Sequence, residues 1–305
     1  MSHTQDQQEK QSAALSSVIA AIGLTTFKII VGTLTNSLGI LAEAAHSALD
    51  LVAALMTLFA IRVSGQPADK EHNFGHGKIE NLSALFETLL LLATSAWIIN
   101  EAAQRLFFKK AEVTASIWSF IVMGTSIVID YTRSRILSRA AKKYNSQALE
   151  ADALHFSTDI WSSSVVILGL IGVTIARSVT GLHWMSEADA VAALVVALIV
   201  VFISVNLGWR TIQALLDAAP KGVSDKIVKG VSRMKGIKDC HAVRIRSSGA
   251  SWFVDLHVTM DGNRTLNEAH ALTEKVEKKV QELLPGSDVT VHVEPIEMAE
   301  TPPGG

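Results

Sequence analysis

The chain has 305 residues, 49% hydrophobic and 18% charged, with a mean hydropathy of +0.32 and a formal net charge of −2 at pH 7. This composition excludes a disordered protein, a collagen and a disulfide scaffold, and the net charge gives no electrostatic case for nucleic-acid binding. The single cysteine, Cys240, rules out an intrachain disulfide and thiol-rich metal sites.

The charges are unevenly spread, with 31 in residues 1–216 and 25 in the last 89. A greasy domain of two-thirds of the chain therefore precedes a soluble-looking one. The opening MSHTQDQQEKQ is polar, so no cleavable signal peptide is expected. Six apolar runs follow, at 13–34, 37–63, 82–106, 113–131, 149–176 and 188–216. Each reaches the ~20 residues of a membrane-spanning helix. A soluble bundle of six such helices would have too little polar surface to stay in water. With the N-terminus inside, the inner segments hold nine Lys and Arg (Lys10, Arg62, Lys70, Lys78, Arg133, Arg135, Arg139, Lys142, Lys143). The outer loops hold four (Arg105, Lys109, Lys110, Arg177). This excess predicts both termini, and the soluble tail, on the cytoplasmic side.

The tail reads as a small α/β module: helix 224–234, strands 242–247 and 252–260 around the turn Ser248-Gly249-Ala250, helix 266–284 and strand 289–293. The order αββαβ predicts helices on one face of a small sheet. The expected organisation is an N-terminal cytoplasmic tail at 1–12, a six-helix transmembrane domain at 13–216, a cytoplasmic domain at 217–298 and a disordered end at 299–305.

Three clusters carry chemistry. Residues 42–51, AEAAHSALDL, and 151–160, ADALHFSTDI, repeat one pattern, A-[DE]-A-x-H-x-x-x-D-[LI], 109 residues apart. Helical spacing puts Glu43, His46 and Asp50 on one face of helix two, and Asp152, His155 and Asp159 on one face of helix five. Asp or Lys in a bilayer costs about 2.5–3.5 kcal/mol on insertion scales, so these faces need partners. A dication between them is the economical one: His46, Asp50, His155 and Asp159 offer two imidazole nitrogens and two carboxylates, a set suited to tetrahedral zinc. The alternative is a hydrogen-bonded His–Asp lock between two helices, which does not explain the repeat. The empty shell carries −2 and would draw protons in place of metal, predicting metal/proton exchange. Glu43 on the outer side and Asp152 on the inner side are candidate relay carboxylates, or residues reaching interfacial water.

The second cluster is the loop PADKEHNFGHGK, where Asp69, His72 and His76 can bind one ion, with Gly75 and Gly77 permitting tight turns. The third is in the tail. On strand 252–260, Phe253, Asp255, His257 and Thr259 alternate with the apolar Trp252, Val254, Leu256 and Val258, and His292 and Glu294 share a face of the last strand. His241 opens a neighbouring strand and His270 lies on the long helix, so this module has more histidines than a core needs. Lys28, Glu87 and Asp130 also fall in or near the apolar runs and have no assigned role beyond snorkelling or interhelical pairing. Lys78 and Asp217 bracket the inner face and predict an ion pair that sets register between the two parts.

With its paired H-x-x-x-D motifs, the loop FGHGKIE, LLDAAP before the tail, NEAHALTEKVE and the later HVEP, the sequence resembles the cation diffusion facilitator family over nearly its whole length. The resemblance implies homodimeric six-helix carriers of the bacterial inner membrane that move divalent metals out of the cytosol in exchange for protons. It also implies a metallochaperone-like, ferredoxin-type cytoplasmic domain that binds metal and helps dimer contact, with His241, His257, His292 and Glu294 in its binding set and His270 nearby. Glu294 stands where some relatives have Asp. Members with His at the position of His46 look zinc-directed, and the D-x-x-x-D of manganese members is missing from both helices.

The expected function is zinc/proton antiport by alternating access, with iron, cobalt or cadmium as alternative cargo. A membrane-bound metal sensor and an intramembrane metallohydrolase are the competing classes. Against the hydrolase, the chain has no H-E-x-x-H, and a full four-residue shell leaves no open position for water.

Overall fold

A computed structural model describes residues 3–107, 117–178 and 185–296, in two compact units, Met1–Ile212 and Gln213–Gly305. The first unit is helical: α1 (His3–Leu34), α2 (Leu38–Ser64), α3 (Lys78–Phe107), α4 (Ile117–Tyr144), α5 (Gln147–Ser178) and α6 (Met185–Leu215). Four described stretches, Gln5–Leu34, Ile40–Ser64, Lys78–Gln104 and Leu194–Leu215, are long and apolar enough to cross a bilayer. Two tight corners are closed by asparagines in the left-handed region, Asn36 (φ +46°) after α1 and Asn145 (φ +49°) after α4, a residue type that tolerates it. Ser37 caps α2 by accepting from the Ile40 N–H.

The resulting hairpins α1–α2 and α4–α5 pack together, and α3 lies against α2 and α5. Small residues at the contacts allow close approach: Ala14, Ala54, Ala141 and Ala153 share one cluster with Leu137, Leu149 and Phe156. α6 meets α3 where Gly208 leaves room for Thr88; a Cβ there would lie 3.0 Å from its methyl. Large apolar side chains such as Ile19, Phe59, Trp97, Val128, Trp161 and Phe202 face outward. Asp50, Glu87, Asp130, Arg133, Asp152 and His155 are turned in. Charge inside and grease outside is the arrangement a helix bundle takes in lipid.

The helices overrun the apolar runs, and the overruns are informative. α1 begins at His3, inside the segment expected as a tail, because Lys10 is buried (7% exposed) and Gln7 donates to the Ile61 carbonyl. α4 continues past Tyr131, and Arg133, counted from sequence as an inner-loop cation, is instead a buried helical residue. Its guanidinium lies 3.4 Å from the Phe156 ring centroid and donates to Ser17 and Asp130. Snorkelling is also overturned for Lys28, Glu87 and Asp130, all buried. The outer-loop residues Lys109 and Lys110 and the end 299–305 lie outside the described residues.

The second unit contains α7 (Val223–Val231), β1 (Asp239–Ser248), β2 (Ser251–Met260), α8 (Leu266–Leu283) and β3 (Ser287–Pro295), in the order expected from sequence. The sheet order is β1-β2-β3, with β1–β2 antiparallel and β2–β3 parallel. Gly249 (φ +59°) turns the β1–β2 hairpin. Thr265 and Glu268 form a reciprocal capping box at the start of α8. Alternation along β2 buries Val254, Leu256, Val258 and Met260 against Leu272, Val276 and Val280 of α8, leaving Asp255 and His257 on the opposite face.

Candidate metal centres

The two H-x-x-x-D turns face one another between α2 and α5. His155 Nε2 lies 3.0 Å from Asp50 Oδ1 and 3.6 Å from Asp159 Oδ2. His46 Nε2 lies 3.9 Å from Asp50 Oδ1 and 3.7 Å from Asp159 Oδ1. A tetrahedral zinc with bonds of about 2.1 Å has ligand-to-ligand edges of about 3.4 Å; His46, Asp50 and Asp159 offer one atom each within 4.8 Å of one another, and His155 meets them through Asp50 and the second oxygen of Asp159. The side chains are unequally open. His155 is 5% exposed, Asp50 10%, Asp159 16% and His46 33%. His46 and Asp159 sit toward the end where α2 starts and α5 finishes, so the cage opens at that end.

The candidate relay residues differ in setting. Glu43 is 40% exposed and pairs at 3.3 Å with Lys28, whose ammonium also donates to Ser47 at 2.8 Å. Asp152 is fully buried and accepts from Ser17 at 3.4 Å. The same Ser17 hydroxyl receives the Arg133 guanidinium at 3.1–3.2 Å, and Arg133 reaches Asp130 at 3.3 Å. Glu87 of α3 accepts from the Thr57 hydroxyl of α2. At the other end of the bundle, the Glu80 carboxylate gathers Lys10 at 2.6 Å, Ser64 at 3.0 Å and the Ser146 hydroxyl. Sequence reasoning missed the Arg133 and Glu80 assemblies; the available signal was a charged residue at a position where the helical period still runs inward.

In the loop, Asp69, His72 and His76 do come together. Asp69 Oδ1 accepts the His72 N–H at 2.6 Å and lies 3.2 Å from His72 Nδ1, while Asp69 Oδ2 lies 3.4 Å from His76 Nε2. The backbone N–H of His72 is the main cause holding the Asp69 carboxyl below its ordinary range. Gly75 takes φ +72°, which folds His76 back to within 4.3 Å of the His72 ring.

In the second unit the strand register sets His241, His257 and His292 in one row across β1, β2 and β3. Glu294 bonds His257 Nδ1 at 2.8 Å and lies 3.2 Å from His241 Nε2. His292 stacks beside His257 at 4.6 Å between ring centroids. The His257 hydrogen bond is the main cause lowering the Glu294 carboxyl. The ladder slips between His241 and Arg244, where Ala242 takes φ +49°. Asp239, which sequence reasoning did not flag, bonds His241 at 2.9 Å. Burial, then the adjacent Asp239, pushes the neighbouring Cys240 thiol up to about 11, so no thiolate is on offer here at neutral pH. His270 is not brought into this group: it lies exposed on α8, 3.8 Å from Glu274. Lys78 opens α3 in one unit and Asp217 follows α6 in the other.

The family described as the cation efflux transmembrane domain matches residues 14–216, and the one described as the cation efflux protein cytoplasmic domain matches 219–296. Among curated proteins, the cation-efflux pump FieF of Cronobacter sakazakii is 34% identical over 284 residues, covering 93% of this chain and 92% of that one. The cation-efflux pump FieF of Yersinia enterocolitica is 33% identical over 288 residues, with the same coverages. Among solved structures, the metal-bound C-terminal domain of the CzcD transporter from Thermotoga maritima is 33% identical, covering 26% of this chain and 92% of that one, with a TM-score of 0.24.

Proposed function

The chain belongs to the cation diffusion facilitator family of cation-efflux transporters, and from that premise we propose that it exports zinc from the cytoplasm in exchange for protons. Members of this family are integral membrane transporters, not enzymes, which removes the metallohydrolase reading. The observation that carries the proposal is the cage of two imidazole nitrogens and two carboxylates at 3.0–3.9 Å. Two neutral nitrogens favour a borderline dication over magnesium or calcium, and two carboxylates balance its charge. When the ion leaves, the shell is left at −2 in a buried site, and protons are the available replacement.

The same reading assigns six membrane spans, both termini in the cytoplasm, the bacterial inner membrane and a homodimer. Its domain limits are 13–216, 217–298 and 299–305, with residues 3–12 of the expected N-terminal tail belonging to α1. Glu43 and Asp152 are the carboxylates that receive the ion or proton on either side. Asp69, His72 and His76 form a second ion site, and His241, His257, His292 and Glu294 a regulatory one. The half-exposed His241–His257–Glu294 group supports a metal-sensing role for the tail within the same carrier. Iron, cobalt and cadmium are competing cargoes, since the donor set alone does not separate neighbouring metals.

The test is transport in proteoliposomes with several divalent metals under an imposed pH gradient, with Asp159→Ala as the blank. Zinc uptake coupled to counterflow of protons, lost in the variant, is expected. Zinc uptake indifferent to the pH gradient sinks the exchange, and Asp159→Ala activity equal to wild type sinks the cage.

A further inference from the structure

The four cage residues leave one ring nitrogen without an explanation. His155 turns Nε2 toward Asp50 and Asp159, and its other nitrogen, Nδ1, is buried with no hydrogen-bond partner among the described residues. An imidazole that binds a metal through one nitrogen carries its proton on the other, and that N–H is normally donated to a carboxylate, a carbonyl or water. Left alone in a buried site, such a donor is costly. Beside the cage oxygen Asp159 Oδ2, two buried carboxylate oxygens outside the cage are equally orphaned among the described residues, Oε2 of Glu87 and Oδ1 of Asp152. Both residues are fully buried.

The two acids are not equivalent. Asp152 already belongs to the Ser17–Arg133–Asp130 assembly, whose guanidinium compensates it. Glu87 comes from α3, which packs on α5 through Ala84, Ala151 and Leu154, the residue before His155, and it anchors one oxygen on the Thr57 hydroxyl of α2. The described cation of α6 near this end, Arg210, is turned to Glu150. Among the described residues Glu87 pairs with no Lys or Arg, and its second oxygen has no hydrogen-bond partner.

We propose that Glu87 is a positioning residue for transport: its free oxygen takes the Nδ1–H of His155, fixes the tautomer that leaves Nε2 free, and raises the basicity of that ligand. This rests on the reading of His155 as a transport-site ligand. It makes α3 a third wall of the cage, joined to α2 through Thr57 and to α5 through the imidazole.

The test uses the full-length protein in proteoliposomes, with Glu87→Gln, Glu87→Asp, Asp152→Asn and Asp159→Ala compared for zinc transport at one fixed pH gradient. Glu87→Gln keeps size and the Thr57 contact and removes the charge. It should raise the KM for zinc about 10- to 100-fold, the usual loss for an outer-shell carboxylate, with kcat changed far less. Glu87→Asp should recover part of the affinity. Nitrogen-15 NMR of zinc-loaded wild type should show His155 protonated at Nδ1 and bound through Nε2. A KM within twofold of wild type for Glu87→Gln, an effect confined to Asp152→Asn, or zinc on Nδ1 of His155 in the wild type each overturns the assignment. The NMR reading needs no variant to fold. Asp159→Ala separates the failures: if it transports normally, the cage itself is wrong, whereas its inactivity beside a normal Glu87→Gln removes only the role of Glu87.

Discussion

Replacing Lys10 by Met tests whether the first dozen residues are structure or tail. Lys10 Nζ lies 2.6 Å from Glu80 Oε1, with the side chains 9% and 1% exposed. At an effective dielectric of about 20, charges at that separation attract by about 6 kcal/mol, before the cost of desolvating both. Removal of one partner strands the other, and a buried charge left that way costs about 3–5 kcal/mol. Glu80 keeps the Ser64 and Ser146 hydroxyls, so Lys10→Met should fall at the lower end, about 3 kcal/mol. Adding Glu80→Gln removes the stranded charge, and the double variant should recover most of the loss. The assay is denaturant unfolding of the purified full-length protein in mixed micelles, run as a double-mutant cycle. A Lys10→Met loss below about 0.5 kcal/mol, or additivity of the two changes within that limit, refutes the reasoning.

Three further outcomes are expected. His46→Asp replaces a one-point imidazole ligand, suited to small tetrahedral zinc, by a carboxylate that can bind through both oxygens at the open edge of the cage, so the larger cadmium ion should be better accommodated and the cadmium-to-zinc uptake ratio should rise; side-by-side uptake with an unchanged ratio defeats this. Because the folded Glu294 carboxyl lies below its unfolded value, its contribution to stability is complete above about pH 4.3 and fades as pH falls through the lower native value. Protection factors of β2 and β3 amides, corrected for the intrinsic pH dependence of exchange, should therefore fall on acidification, and Glu294→Gln should flatten that dependence; an unaltered profile argues against it. Lys78→Ala should weaken dimer stability by less than about 1 kcal/mol, as for an ion pair at a water interface, together with a fall in transport. Transport and dimer unfolding both equal to wild type would remove the Lys78–Asp217 clasp.

The cage was legible because both halves are helical and the same i, i+4 spacing occurs twice, so His46, Asp50, His155 and Asp159 needed only one crossing of α2 and α5 to meet. The tail sheet was legible for the complementary reason. Alternation along β2 separates Val254, Leu256 and Val258 from His257, and the register then lines up His241 and His292. The three-dimensional partners of isolated charges were not legible. Arg133 reads in sequence as a cation at the end of an apolar run, and only the position of Phe156 and Ser17 decides that it turns inward. Lys10 lies in a polar stretch with no hydrophobic period, so nothing local signals that Glu80, 70 residues away, draws it into the bundle. His270 shows the opposite error: composition groups it with the tail histidines, but it lies on α8, which covers the other face of the sheet from their row.

The row of three imidazoles also makes the small sheet self-checking. Strand side chains alternate faces, so a slip of one residue by β2 would send His257 to the core side and bring Val258 or Leu256 out in its place. An ion shared by His241, His257 and Glu294 can thus be gripped only when the neighbouring strands are correctly paired. Free metal at a hundredfold over its Kd would then favour that pairing by about 2.7 kcal/mol. Cytoplasmic metal would in this way tighten the tail of the carrier that removes it.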